Sequence, residues 1–258
     1  MIVHVPQHAL PTFARLVTSA AFLIGLCGCV SVPPEDARMA SERNQTVIAS
    51  PVRTDQDRRM DAARRPAELL TFTEVRPGMQ VLDIAAGGGY TAQLLALAVA
   101  PGGKVWAQSP QPGATITKRL ADQPQANFVL VKRPFDDPVP EDAPKFDLVT
   151  IVLNYHDISY LPVDRAKMNQ RLFAALKPGG RLVVIDHSAQ AGTGITAGRT
   201  LHRIDEALVQ AEFLQAGYVL DAQGNFLRNA ADTRTESSNE PKVPTDKFVL
   251  RFAKPRAS

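Results

Sequence analysis

One stretch of the chain, Val81-Leu82-Asp83-Ile84-Ala85-Ala86-Gly87-Gly88-Gly89-Tyr90, leaves little choice of fold. An apolar run reaches an acid, crosses a bend of small residues and enters the helical pattern Thr91 to Val99. A buried strand that must turn this sharply needs glycine, which accepts positive φ and has no Cβ to keep a ligand from the backbone N–H groups. Upstream, Pro77-Gly78 supplies the turn that starts the strand. The combination predicts a nucleotide-cofactor site at the open end of a sheet.

Strand and helix signals alternate through the remainder. Strands are predicted at 80–84, 104–108, 127–132, 146–153 and 181–186, and helices at 91–99, 115–122, 164–176 and 201–216. Pro101-Gly102-Gly103, Lys177-Pro178-Gly179-Gly180 and Gly217 stop the helices, and Lys177 places a cation where the helix macrodipole prefers one. Apolar strands interleaved with helices belong to a parallel sheet covered on both faces. Segments 218–222 and 247–252 pair as an antiparallel edge. The expected fold is therefore a Rossmann-like α/β domain: a seven-stranded, mostly parallel sheet, helices on both faces, and an antiparallel C-terminal strand pair. Ahead of it, the charge-rich string Thr54 to Phe72 predicts two helical pieces broken at Pro66, a solvated face whose arginines are also placed to border a ligand.

Composition bounds the rest. With 258 residues, 45% of them hydrophobic, the chain can build one sizeable core plus extensions. A net charge of +3, without basic runs interleaved with aromatics, excludes nucleic-acid binding as a direct function. After the single fixed cation Arg15, the apolar run Leu16 to Leu26 has the length of a signal-peptide core and falls short of the ~20 residues of a membrane span. Leu26-Cys27-Gly28-Cys29 resembles the bacterial lipobox, which implies a lipid on Cys29. The expected organisation is a signal peptide over 1–28, a tether over 29–53 and a domain over 54–258, on a lipoprotein anchored at the bacterial cell envelope. The alternative is a disordered or buried apolar N-terminus on a cytoplasmic protein. Both cysteines lie in this segment, so the domain has neither disulfide nor cysteine nucleophile.

Four motifs in order resemble class I S-adenosylmethionine-dependent methyltransferases. Asp83-x-Ala85-x-Gly87-x-Gly89 is similar to that family's first motif, and Phe146-Asp147-Leu148-Val149 to its fourth strand. Leu176-Lys177-Pro178-Gly179-Gly180-Arg181-Leu182 is similar to its turn into the fifth strand, and the terminal pair to its reversed seventh strand. Asn154-Tyr155-His156-Asp157 after the fourth strand resembles a bacterial subgroup whose substrates are unassigned. The resemblance implies S-adenosylmethionine as cofactor. Its methionine end would lie over Ala85, Gly87, Gly88 and Gly89, with Asp83 ordering the turn or the cofactor's amino group. The ribose position falls on Ser109, where the family usually carries an acid, and the adenine position near Phe135-Asp136; Asn154 also faces the cofactor or substrate.

The same rim gathers groups that could carry chemistry. Methyl transfer is an in-line displacement in which the protein aligns the nucleophile and, where necessary, removes its proton. His156 is the candidate base, Asp157 its orienting acid, and His187, after Asp186, a second polar group at the rim. Tyr155, His202 and Arg203 are candidate substrate contacts, beneath a glycine-rich loop, Gly192 to Gly198, placed to act as a lid. Asp205 reads as a helix-surface charge, and Arg228 and Arg234 as groups that either cap the site or face solvent. His156, His187 and His202 fit no compact metal motif, so no metal is expected. Two rival readings stand beside a small-molecule methyltransferase. Gly87-x-Gly89-x-x-Ala92 also satisfies a loose dinucleotide fingerprint, but the acid expected ~20 residues on is again Ser109. The other is a lipid-tethered ligand-binding protein without catalysis, since an exported chain must find its cofactor outside the cytoplasm. Sequence leaves the acceptor and the oligomeric state open.

Overall fold

The computed structural model describes residues 34–256 together with 1 and 4; side chains are described from residue 37 onward. Cys27 and Cys29, and the signal-peptide and lipidation expectations with them, lie outside the described residues. No helix among those described is long and apolar enough to cross a membrane.

Seven strands form one sheet in the order β3-β2-β1-β4-β5-β7-β6. They are β1 Gln80–Ile84, β2 Lys104–Gln108, β3 Phe128–Val131, β4 Phe146–Val152, β5 Leu176–His187, β6 Val219–Gly224 and β7 Lys247–Ala253. β1 pairs in parallel with β2 and β4, β2 with β3, and β4 with β5, whereas β7 runs antiparallel to β5 and β6. The fold expected from sequence is the one observed, except that the helix expected over 201–216 is two pieces, 198–201 and 206–215. Strand order reverses between β1 and β4, and at such a switch point the carboxyl ends of the strands open a crevice.

The strands read as continuous apolar runs because both of their faces are buried, and alternate residues serve alternate faces. Leu82, Ile84, Val149, Ile151, Leu182, Val184, Phe248, Leu250 and Phe252 join one core. Val81, Leu148, Val152, Val183, Ile185 and Val249 join the other. Helices α7 (Arg165–Ala175) and α9 (Glu206–Gln215) cover the first core with Met168, Leu172, Val209 and Phe213. The second is covered by α1 (Pro34–Ala49), α3 (Pro66–Thr73), α4 (Tyr90–Ala98) and α5 (Ala114–Asp122).

Helix α1 corrects the expected tether over 29–53. Val47 is buried in the second core and the Asn44 amide donates to Thr71 Oγ1 at 3.3 Å, so residues 34–53 are part of the domain, while 29–33 lie outside the described residues. Its few apolar residues gave no sustained period, which is why composition alone suggested a linker. The two pieces expected around Pro66 are α2 (Asp55–Arg64), capped by a reciprocal Thr54–Asp57 capping box, and α3, with Pro66 in its first turn. Two short helices, α6 (Tyr155–Ser159) and α8 (Gly198–Leu201), complete the rim.

Candidate active site

The glycine bend sits at the switch point. Ala85, Gly87 and Gly89 take φ of 54°, 53° and 84°, a region that costs a residue with a Cβ free energy, so Ala85 is held there by its surroundings. Its N–H donates to Gln108 Oε1 at 3.1 Å, and the next N–H, of Ala86, to the Gln108 carbonyl at 3.0 Å. Packing is close at Gly88 and Gly89: a Cβ there would lie 3.1 Å from Thr115 Cγ2 and from Arg119 Cδ respectively, tighter than side chains normally sit. Helix α5 thus lies hard against the bend.

A cavity of about 260 Å³ opens beside it. Asp83, Ala85, Ala86, Gly87 and Gly88 form its floor, Tyr90 and Thr91 begin α4, and Val152 and Asn154 come from the end of β4. Thr115 and Arg119 on α5, with Gln56, Met60 and Arg64 on α2, complete the wall. Asp83 is fully buried; Thr150 Oγ1 donates to its Oδ1 at 2.6 Å, while Oδ2 has no partner among the described residues. Burial pushes this carboxyl up to about 7, against the Thr150 hydrogen bond and the Arg64 charge, which both favour ionisation. A buried carboxylate oxygen without a donor, on the wall of a cavity, asks for a cationic occupant.

Ion pairs fasten the α2 side of the cavity. Asp57 and Arg119 meet at 2.7 Å with both side chains nearly sequestered, and Arg119 Nε donates to the Gly88 carbonyl at 2.8 Å. Arg53 pairs with Asp61, whose Oδ1 also accepts from Tyr90 OH at 2.7 Å. Arg64 stacks over the Tyr90 ring at 5.4 Å. Burial lowers its pKa, opposed by the nearby Tyr90 and Asp83. The methionyl end of S-adenosylmethionine fits these groups: Asp83 for its ammonium, Arg64 for its carboxylate, and the Gly87-Gly88 backbone alongside. Asn154 lines the cavity; its Nδ2 donates to the Ala85 carbonyl at 3.0 Å and the Val152 carbonyl at 2.9 Å.

The expected adenosine contacts are not in this cavity. Ser109, Phe135 and Asp136 do not line it, Asp136 pairs with Lys167 at 3.3 Å, and Phe135 packs on the first core. The Gln108 amide is engaged with the Ala85 N–H and, at 2.6 Å, with the Arg133 carbonyl.

A second polar group forms where α6, α8 and the end of β5 converge. His156 Nδ1 lies 2.6 Å from Asp186 Oδ1, and Asp186 also accepts the His156 and His187 backbone N–H groups at 2.8 Å. His156 Nε2 lies 3.3 Å from Asp157 Oδ1, and His202 Nδ1 lies 3.1 Å from the same oxygen. Burial alone would lower the His156 pKa, but the Asp186 charge and the hydrogen bonds to Asp157 and Asp186 push it up to about 10. An imidazole with both nitrogens against carboxylates is a poor proton acceptor at neutral pH, which corrects its expected role as base. Asp157 is held well below the usual carboxylate range: burial opposes this, and the His156 contact outweighs it. His187 is pushed down to about 2 by burial and the surrounding cations, with Nδ1 at 2.8 Å from Thr245 Oγ1, and it does not line the cavity.

Three further expectations need correction. Tyr155 is fully buried in the first core, its OH donating to Glu212 at 2.5 Å, so it is no substrate contact. Arg203 is fully buried and pairs with Asp232 at 2.8 Å, so its charge is spent inside the fold. Asp205 caps α9 and accepts the Gly192 N–H at 2.7 Å, which pins the glycine-rich loop expected to act as a lid. Arg228 and Arg234 both pair with Asp246, at 3.4 and 3.0 Å. Sequence reasoning named neither Tyr90, Thr115 nor Arg119 as wall residues. The arginines of 54–72 were the one signal that pointed at α2, and Arg64 is where it led.

The sheet order and its glycine bend define a class I methyltransferase fold. Solved structures agree in fold: a SAM-dependent methyltransferase from Aquifex aeolicus has a TM-score of 0.57 at 16% identity, covering 83% of this chain and 98% of that one. A putative sarcosine dimethylglycine methyltransferase from Galdieria sulphuraria also gives 0.57, at 17% identity over 76% of this chain and 86% of that one. The ubiE/COQ5 methyltransferase family model matches residues 64–199, and the chain belongs to this family. S-adenosylmethionine is its cofactor. The ubiquinone/menaquinone biosynthesis C-methyltransferase UbiE of Burkholderia multivorans is 33% identical over 116 residues, 44% of this chain and 45% of that protein. The enzyme of the same name from Bordetella avium is 35% identical over 123 residues, 45% and 44% of the two chains. A demethylmenaquinone methyltransferase from Symbiobacterium thermophilum is 30% identical over 125 residues, 47% of each. The chain spans just under half the length of these curated relatives.

Proposed function

We propose that this protein transfers the methyl group of S-adenosylmethionine to a small-molecule acceptor, with a quinone-type ring as the acceptor to test first. The observation that carries the cofactor half of this reading is the unpartnered, fully buried Asp83 Oδ2 on the wall of the glycine-bend cavity. The acceptor half rests on the names of relatives matched over just under half of their length. The cofactor brings an electrophilic methyl on a sulfonium. The chain's own part is to hold it in line: Asp83 takes the ammonium, Arg64 the carboxylate, and Asn154 fixes the end of β4 against the bend.

Calorimetric titration of the full chain with S-adenosylmethionine and its demethylated product tests this. Saturable binding is expected, weakened about tenfold or more in Asp83→Asn, since a charge-assisted contact to a buried group is worth about 1.5–3 kcal/mol. No heat and no thermal shift with either ligand would reject the reading. Transfer of labelled methyl to a demethylated quinol then assigns the acceptor.

A ligand-binding protein without catalysis is the second reading, favoured by Ser109 standing outside the cavity in place of the usual ribose acid. It is the outcome if cofactor binds and no acceptor turns over. Anchoring at the cell envelope through a lipid on Cys29 is likewise our proposal, resting on Leu26-Cys27-Gly28-Cys29. Cys29→Ser should then release the protein from membranes; a wild-type chain already free in the cytoplasm would refute it.

A further inference from the structure

We propose that His156, Asp157 and His202 form a binding site for a single divalent transition-metal ion, zinc in the first instance. The ligand atoms of these three residues all lie within 4.8 Å of one another. His156 Nε2 and His202 Nδ1 stand 3.3 and 3.1 Å from Asp157 Oδ1. With bonds of about 2.0–2.1 Å, two ligands of a tetrahedral zinc ion are separated by about 3.3 Å. The carboxylate-to-histidine spacings already match that edge.

The surroundings are those of a metal site. Metal-binding histidines direct their second nitrogen to a carboxylate or carbonyl, which fixes tautomer and ring orientation. Asp186, fully buried, does this for His156 at Nδ1 and clamps its backbone N–H as well. Tyr160 OH donates to Asp157 Oδ1 at 2.7 Å. His202 is brought in at a conformational cost: it sits at φ 50°, just after α8, and its carbonyl accepts from Ser238 Oγ at 2.9 Å. The approach of α8 to α6 requires Gly198, where a Cβ would lie 2.9 Å from Ser159 Oγ and 3.1 Å from the His156 carbonyl. Two segments some forty residues apart in sequence are thus forced together with three donor atoms converging, which explains why spacing along the chain gave no metal motif.

Two imidazoles and a carboxylate suit zinc and the neighbouring divalent transition ions rather than magnesium or calcium, which prefer all-oxygen shells. When no ion is bound, Nε2–H of His156 faces Asp157 while Nδ1–H faces Asp186, and a metal displaces the Nε2 proton alone. Three protein ligands leave a fourth position for water or an oxygen of a bound molecule.

The test uses the full chain, stripped with chelator and titrated with Zn²⁺ by calorimetry and with Co²⁺ by its visible absorption. One saturable equivalent is expected, with cobalt bands of a tetrahedral or five-coordinate site. His202→Asn keeps a residue that tolerates positive φ, and Asp157→Asn keeps the shape; each should weaken binding by roughly 10–100-fold or more, with unchanged far-ultraviolet circular dichroism. A Cys27→Ser, Cys29→Ser double variant should bind as the wild type does. Absence of saturable binding, wild-type affinity in both site variants, or loss of binding with the two cysteines would overturn the proposal.

Discussion

At the scale of single residues, the role proposed for Asp83 sets binding against stability. Its folded-state pKa stands near 7 against an ordinary 3.8, so the folded chain holds the proton more tightly than the unfolded one. Stability from this group is therefore present at low pH and is lost as pH rises from the unfolded value through the folded one. Asp83→Asn should raise the stability of the ligand-free chain above pH 7 by up to about 4 kcal/mol, three pKa units at about 1.4 kcal/mol each, and flatten its fall between pH 4 and 7. Thermal melts of both proteins across that range check this. A parallel pH dependence in the two would show that Asp83 is not the group responsible. Asp83 was legible because a strand, an acid and a glycine bend occur together in sequence. His156 was only half legible: its place at the rim could be read, but the Asp186 carboxylate thirty residues on, which changes its acidity, became its neighbour only through the pairing of β4 with β5.

Among the elements, α2 is the one whose attachment decides access to the cavity. It is tied to α5 by Asp57–Arg119, with side-chain exposures of 2% and 7%, and to α4 by Asp61 and Tyr90. Removing one partner of a buried pair costs about 3–5 kcal/mol, because the other charge is left without a counterion. Asp57→Ala should therefore destabilise the domain by about that amount, and α2 should become the earliest segment to exchange its amide hydrogens. Uniform protection across α2 and the sheet in this variant would contradict the attachment. Helix α1 makes a similar test: Val47→Ala removes two buried carbons and should cost about 1–2 kcal/mol in chemical denaturation, whereas a tether would show no change. Helices with a strong apolar run or a clear stop, such as α4 and α7, could be read from sequence. Helix α1, with so few buried apolar positions, and α6, five residues long, could not, since their form depends on what they pack against.

For the whole molecule, the architecture was the most legible level. Apolar strands with both faces buried, interrupted by helices, permit little besides a doubly covered parallel sheet, and the two late strands without an intervening helix permit only an antiparallel edge. The glycine-bend cavity was legible as a place and not as a list of walls, because α2 and α5 contribute through docking that no local pattern encodes. Cofactor at 100 times its dissociation constant should stabilise the fold by about 2.7 kcal/mol and raise the melting temperature in proportion. The pairing of β1 with β4 and of β4 with β5 has one more outcome. Asp83 is level with Thr150, which is level with Val183, and Asp186 lies three residues beyond. The two buried acids are thus two strand spacings apart across the sheet and three residues apart along it, roughly 10 Å in each direction. Backbone ladders, not movable loops, maintain that interval. The sheet acts as a partition: Asp83 and Asp186, an odd number of residues out of level, project from opposite faces, so the glycine bend and the histidine cluster keep a fixed interval on either side of one plane.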